Sequence, residues 1–112
     1  MKKTVLEIDL EALEHNFTLI ASKLKPETKF MAVVKANGYG SDSVAVAKKL
    51  ISLGVDYFAV AFADEGVRLR ESGIKTPILV LLPQVESIKK IIKYKLEPSL
   101  YSFYFLEKFI SF

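Results

Sequence analysis

The sequence of 112 residues contains no cysteine and no tryptophan, one histidine, five glycines and four prolines. Without cysteine the chain forms no disulfide and binds no metal through thiolates. The apolar run at residues 78–82, like the others in the sequence, is far too short to cross a bilayer. The formal charge of +3 is too small to indicate nucleic-acid binding by itself. These absences exclude membrane-spanning, disulfide-rich and strongly basic classes of protein.

The composition is that of a globular protein, with 51% hydrophobic and 26% charged residues in a chain about one domain long. The first residues, MKKTVLEIDL, contain acids at Glu7 and Asp9 before any long apolar run, which is not the pattern of a signal peptide. Together with the lack of cysteine, this pattern predicts a soluble cytoplasmic protein that does not bind membranes.

Short apolar segments alternate with amphipathic ones along the whole chain. The pattern predicts strands at residues 4–8, 30–35, 57–62, 78–82 and 99–101, and helices that begin near Asp9, Asp42 or Ser43, Asp64, Pro83 and Ser102. The run at 30–35 is almost continuously apolar, which is typical of a strand covered on both faces. A strand every 20 to 25 residues or so predicts βαβ units and a parallel sheet, as in a barrel or a doubly wound fold.

The segment AVVKANGYG, residues 32–40, places Lys35 at the end of an apolar strand and just before a glycine-containing turn. In parallel α/β folds, reactive groups lie at the carboxyl ends of strands. A lysine amine there can form a covalent bond with a carbonyl compound, and Tyr39 lies in the same loop. The alternative is a lysine that only extends from the strand end into water. The residues alone leave both interpretations open.

Three longer segments carry a resemblance: VLEIDLEALEHN, KFMAVVKANGYGSDS and DYFAVAFADEGVRLRESGIKTPILVL. In order and spacing they resemble the opening part of alanine racemase, whose typical motif is AVVKANAYGHG, over essentially the whole chain. The resemblance implies an α/β fold with parallel strands, the N-terminal portion, about half, of a (β/α)8 TIM barrel. Residues 1–112 would then be a truncated part of that barrel domain, without the family's C-terminal β-domain.

The resemblance also implies a site and a cofactor. Lys35 would hold pyridoxal 5'-phosphate covalently, Tyr39 would hydrogen-bond its phosphate, and Val33 and Leu81 would line its pocket. The implied reaction interconverts L- and D-alanine for peptidoglycan synthesis, with Lys35 as one catalytic base and a tyrosine of the C-terminal β-domain as the second. The full-length enzyme would be a homodimer that acts on alanine, without metal or nucleic acid.

Two alternatives remain beside this interpretation. One is a different amino-acid racemase, or a decarboxylase, of the same barrel class. The other is a non-catalytic module that binds pyridoxal phosphate or a partner protein. The sequence departs from the family motif after the tyrosine, where Ser41 and Asp42 replace its histidine and final glycine.

Other polar residues have simpler interpretations. We expect His15 to be solvated, and the basic run of Lys89, Lys90, Lys93 and Lys95 to be the wet face of a helix. Asp64 and Glu65 are adjacent acids, and the pattern assigns them to helix capping and to the helix dipole, not to a catalytic pair.

Overall fold

A computed structural model describes residues 4–112 of the chain. The strands are β1 Met31–Val33, β2 Tyr57–Val60, β3 Ile78–Val80 and β4 Glu97–Pro98. The helices are α1 Leu10–Ala21, α2 Lys35–Tyr39, α3 Ser43–Ser52, α4 Ala63–Glu71, α5 Ile88–Lys93 and α6 Phe103–Ile110, with a 3-10 turn at Val85–Ser87. Among these residues, no helix has the length and hydropathy needed to cross a membrane.

The four strands form one parallel sheet in the order β1-β2-β3-β4. Across the sheet, Val33 pairs with Ala59, and Ala59 pairs with Leu79. Because the strand order follows the chain order, the sheet winds in one direction, as in a barrel, and lacks the reversal of a doubly wound fold. The predicted α/β class with parallel strands is confirmed.

The core lies between one face of the sheet and the helices. Phe58, Val60, Ile78 and Val80 point toward the helices and are fully buried, and Leu69 of α4 packs in the same cluster. Burying each of these side chains contributes about 1.5 to 3 kcal/mol, and together they form the hydrophobic core of the described chain. The predicted burial of the second and third strands on this side is confirmed.

The opposite face of the sheet is more open, and here the prediction for residues 30–35 is wrong. The side chains of Met31 and Val33 lie on this second face and are 42% and 41% exposed. Within residues 4–112, β1 pairs with a strand on one side only. Among the described residues, this apolar run therefore forms a strand at one edge of the sheet, with one face exposed.

Two further strand predictions need correction. Residues 4–8 form no strand, and Val5 and Leu6 are 73% and 72% exposed, because no described strand pairs with this segment. The fourth strand is Glu97–Pro98, before the predicted 99–101, since these two residues pair with Leu79 and Val80. The amide of Ser99 donates the last bond of the ladder, to the carbonyl of Val80 at 2.9 Å.

Arg70, in the last turn of α4, binds the loops that precede β3 and β4. Its guanidinium donates to the carbonyls of Ile74 and Thr76 at 3.1 and 2.7 Å, and to those of Tyr94 and Lys95 at 2.8 and 3.0 Å. Partial burial lowers the pKa of Arg70 below its ordinary value. The fork geometry of arginine lets one side chain satisfy all four acceptors, which the single ammonium of lysine cannot do.

We predict that Arg70→Lys lowers the free energy of unfolding by about 2 to 3 kcal/mol, because hydrogen bonds from a charged donor are lost to partly buried carbonyls. The control is Arg68→Lys on the exposed side of the same helix, which should change it by less than about 0.5 kcal/mol. Chemical denaturation measures both. Equal midpoints for the two variants would contradict the structural role of Arg70.

We also predict that the isolated polypeptide 1–112 self-associates or is only marginally folded. Both β1 and β4 are edges of the described sheet, and the helix α6 region exposes Phe103, Tyr104, Ile110 and Phe112 by 58–84%. Open edges and apolar patches favour association. Light scattering against concentration, with thermal melts, tests this, and Phe103→Ser should weaken the association. A monodisperse monomer that melts cooperatively at high concentration would refute it.

Candidate functional site

The chain turns sharply where β1 ends. The amide of Val34 donates to the carbonyl of Ala59 at 2.9 Å, and this is the last bond of the β1–β2 ladder. From Ala36 to Tyr39 every residue then has a positive φ, between 53° and 66°, so α2 is a left-handed helical turn. For residues other than glycine this conformation costs roughly 1 to 2 kcal/mol each. The turn therefore needs support from its surroundings.

Part of that support is internal. The amide of Gly38 donates to the carbonyl of Val34 at 2.9 Å, and the amide of Gly40 donates to that of Ala36 at 3.0 Å. At Gly38 a Cβ atom would lie 3.2 Å from the backbone of Ser43. Glycine is thus favoured at this position both by its positive φ and by the close approach of the next helix.

A hydrogen bond to Asn37 connects the turn to α3. The Asn37 Oδ1 accepts from the amide of Ser43 at 3.0 Å, and Ser43 is buried. Asp42 caps the same helix, accepting from the amides of Val44 and Ala45 at 3.2 and 3.3 Å. Of the two cap residues that the sequence left open, the structure selects Asp42. The side chain of Asn37 thereby links the Lys35 turn to the start of a well-packed helix.

Hydrogen bonds to Glu65 connect the Lys35 turn to β2 and to the start of α4. The Glu65 Oε2 accepts from the amide of Ala36 at 2.6 Å, and its Oε1 accepts from the amides of Ala61 and Phe62, both at 2.8 Å. The first of these bonds holds the peptide unit that joins Lys35 to Ala36. One carboxylate therefore ties the chain leaving β1 to the chain leaving β2. Hydrogen bonds to an ionised acceptor are about twice as strong as neutral ones.

This role of Glu65 was only partly visible in the sequence. Helix α4 begins at Ala63, one residue before the predicted cap, so Asp64 is not its N-cap. Glu65 reaches back to the amide of Phe62, which is the predicted capping function, but the bond to Ala36 crosses to another strand. A contact between residues 29 positions apart leaves no local signal in a single sequence.

The carboxylate of Asp64 has a different partner from that of Glu65. The Asp64 carboxylate is 78% exposed and pairs with Lys90 at 2.8 Å, and this hydrogen bond raises the pKa of Lys90 above its ordinary value. An exposed ion pair of this kind contributes little to stability. The two adjacent acids thus have separate surroundings, and they do not form a catalytic pair.

The structure places the predicted site residues at the carboxyl ends of β1 and β3. Lys35 directly follows Val34 and is half-buried, while Tyr39, in the same turn, is 64% exposed. Val33 lies on the open face of the sheet. Leu81 follows β3 by one residue, donates its amide to the carbonyl of Val60, and is half-buried. By strand alternation, Val33 and Leu81 share one face, two strands apart.

An apolar groove of about 270 Å³ lies beside β1, between α1 and α3. Phe17, Phe30, Val33, Tyr39 and Val46 are among its lining residues. Of the described residues, Lys35 and Leu81 do not line it. The groove follows from the unpaired edge of β1, and it adjoins the Lys35 turn without containing the lysine.

The remaining candidates lie away from this turn. His15 is exposed on α1, and Lys89, Lys90, Lys93 and Lys95 are all exposed at or beside α5, as expected. Ile88 and Ile91 form the buried side of that helix, while Ile92 is 48% exposed. In residues 4–112 no three His, Cys, Asp or Glu side chains are grouped closely enough to hold a metal ion.

Comparison with known proteins gives consistent matches. The model of the family described as "Alanine racemase, N-terminal domain" matches residues 8–112. Serine/alanine racemase of Enterococcus gallinarum is 45% identical over 103 residues, which are 91% of this chain and 15% of that protein. The structure of alanine racemase from Clostridium difficile 630 in complex with cycloserine has a TM-score of 0.91 and 38% identity, covering 98% of this chain and 31% of that one.

A third relative is alanine racemase from Bartonella henselae, whose structure contains covalently bound pyridoxal phosphate. It matches with a TM-score of 0.82 and 28% identity over 93% of this chain and 29% of its own. The chain thus spans less than a third of each of these relatives. The family match over residues 8–112 and the shared fold show that this chain belongs to the alanine racemase family, in the region of its N-terminal barrel domain.

Proposed function

We propose that this chain forms the lysine-bearing part of a pyridoxal-phosphate-dependent alanine racemase. Its observed support is the left-handed turn that places Lys35 at the carboxyl end of β1, in a chain whose family match covers residues 8–112. The proposed reaction interconverts L- and D-alanine, and the proposed cellular role is cytoplasmic supply of D-alanine for peptidoglycan. Residues 1–112 are the N-terminal part of the barrel domain in this proposal.

The chemistry of the residues present fits this cofactor. Lys35 supplies a primary amine, the group that bonds covalently to an aldehyde, and it is half-buried where strand ends converge. Tyr39 supplies an exposed hydroxyl that can donate to a phosphate oxygen. Val33 and Leu81 supply apolar surface on one face of the sheet, against which an aromatic ring can pack.

Each of these residues then has a role in the proposed reaction. Lys35 would hold the cofactor through Nζ, and once the amine of alanine has replaced it there, the freed Lys35 amine would take or return the Cα proton on one face. Tyr39 orients the phosphate, while Val33 and Leu81 exclude water from one side of the ring. When bound, the cofactor supplies an electron sink that makes the Cα proton removable. Glu65 and Asn37 hold the backbone from which Lys35 and Tyr39 project.

Racemisation also requires a base on the opposite face of the Cα atom. We propose that a tyrosine outside residues 1–112 supplies this base, in a homodimeric full-length enzyme. The length of the relatives supports this, because this chain covers only 15–31% of them.

The first test locates the cofactor. Borohydride reduction of the complete natural polypeptide with pyridoxal phosphate, followed by peptide mapping, should label Lys35 at one equivalent. Lys35→Ala should abolish this label, and Lys89→Ala on the exposed face of α5 should leave it unchanged. Label on Lys89 or Lys93 instead, or undiminished label in Lys35→Ala, would refute the assignment.

The second test concerns the reaction. A coupled D-alanine assay should show racemisation by the complete natural polypeptide and at most a trace rate for residues 1–112 alone. Loss of one general base typically costs 10² to 10⁴ in rate, or about 3 to 5 kcal/mol of transition-state stabilisation.

Other outcomes of this assay would favour the alternatives. Turnover of residues 1–112 comparable to that of the complete polypeptide would contradict the need for a second base elsewhere in the protein. If the complete polypeptide binds the cofactor but acts on another amino acid, or decarboxylates it, the proposed substrate is wrong. Binding without any turnover would support a non-catalytic module.

A further inference from the structure

We infer that Glu65 is a positioning residue for Lys35, acting through the backbone and not by contact with substrate. This inference rests on the proposed function of Lys35. Its basis is the bond from the amide of Ala36 to Glu65 Oε2, at 2.6 Å, because that amide belongs to the peptide unit immediately following Lys35. A single side chain on a neighbouring βα unit thereby fixes the direction in which the chain leaves β1.

The bridge needs both oxygens of a carboxylate. Oε1 is occupied by the amides of Ala61 and Phe62 at the end of β2, and Oε2 by the amide of Ala36 at the end of β1. All three partners are donors, so only a group with acceptors on both sides satisfies them. Helix capping alone accounts for the bond to Phe62 and does not account for the one to Ala36.

The Lys35 turn is the segment that most depends on this bridge. Residues 36–39 all have positive φ, and β1 has a paired strand on one side only within the described chain. Beyond the turn's own backbone bonds, Asn37 and Glu65 are the two described side chains that bond to backbone across it. Asn37 holds it from the α3 side, and Glu65 from the sheet side. Loss of Glu65 leaves the ladder bond from Val34 to Ala59 before Lys35, but removes the side-chain hydrogen bond that holds the chain after Lys35 on the sheet side.

Two substitutions distinguish the effect of the Glu65 hydrogen bonds from the effect of its charge. Glu65→Gln keeps the length but replaces one acceptor oxygen by an NH₂ group, which must then face an amide donor at one of the two strand ends. Glu65→Asp keeps the charge but is one methylene too short to reach both ends. Asp64→Asn is the matched control, since it removes a carboxylate from the same helical turn at a position that is exposed and contacts Lys90.

The experiment uses the complete natural polypeptide and two measurements besides activity. The first is the Kd for pyridoxal phosphate by absorbance titration, with borohydride trapping and mapping of the labelled lysine. The second is amide hydrogen exchange of the cofactor-free protein, comparing residues 34–40 with strands β2 and β3. We expect Glu65→Gln and Glu65→Asp to raise the Kd roughly 10- to 100-fold, as is typical when a hydrogen-bonded support of a binding residue is removed.

Exchange should accelerate in residues 34–40 of both Glu65 variants and stay unchanged in β2 and β3, while Asp64→Asn should match the wild type in both measurements.

If wild type labels Lys35 and the Glu65 variants bind the cofactor with unchanged Kd, the positioning role is wrong and the proposed function stands. If exchange accelerates throughout the sheet, Glu65 is a general stability residue and the inference is overturned. If wild type does not label Lys35, the proposed function itself fails, and this role of Glu65 fails with it.

Discussion

The candidate site depends on one carboxylate that accepts hydrogen bonds from the ends of two neighbouring strands. Parallel strands that end in loops leave amides without ladder partners, and each needs an acceptor. Glu65 satisfies three such amides at once, at Ala36, Ala61 and Phe62. Because these bonds are made to an ionised group within the first turn of α4, the helix dipole also favours the charge. The left-handed turn that presents Lys35 and Tyr39 can therefore persist despite its positive φ values.

The sequence was sufficient for the parts of the fold that depend on local pattern. Apolar spacing located β2, β3 and most helices, and the cap residues Asp9, Asp42 and Ser102 accept amide bonds at the starts of α1, α3 and α6. It also placed Lys35 at the carboxyl end of β1 and Tyr39 in the turn that follows, where the structure has them, although their roles remain predictions. These features succeed because capping and helical periodicity involve residues only a few positions apart.

The features that failed depend on partners distant in the sequence. An apolar run at 30–35 is the same in the sequence whether one or both faces of the strand are covered, and it is the structure of residues 4–112 that shows Met31 and Val33 exposed on one face. The position of β4 is set by pairing of Glu97 and Pro98 with β3, and residues 4–8 form no strand because none is paired with them. The bond from Ala36 to Glu65 is of the same kind. A single sequence contains the residues of such contacts but not the geometry that joins them.

Helix α4 connects the two ends of the sheet. Its first turn carries Glu65, which binds the carboxyl ends of β1 and β2, and its last turn carries Arg70, which binds the loops before β3 and β4. Between them Gly66 lets the helix lie close to the sheet, since a Cβ there would meet the methyl groups of Leu96 at 3.0 Å. Leu69 is fully buried in the same interface. The packing that stabilises α4 thus also fixes the position of Glu65 relative to the carboxyl ends of β1 and β2. The geometry of the Lys35 turn therefore depends on the core as well as on the turn's own sequence.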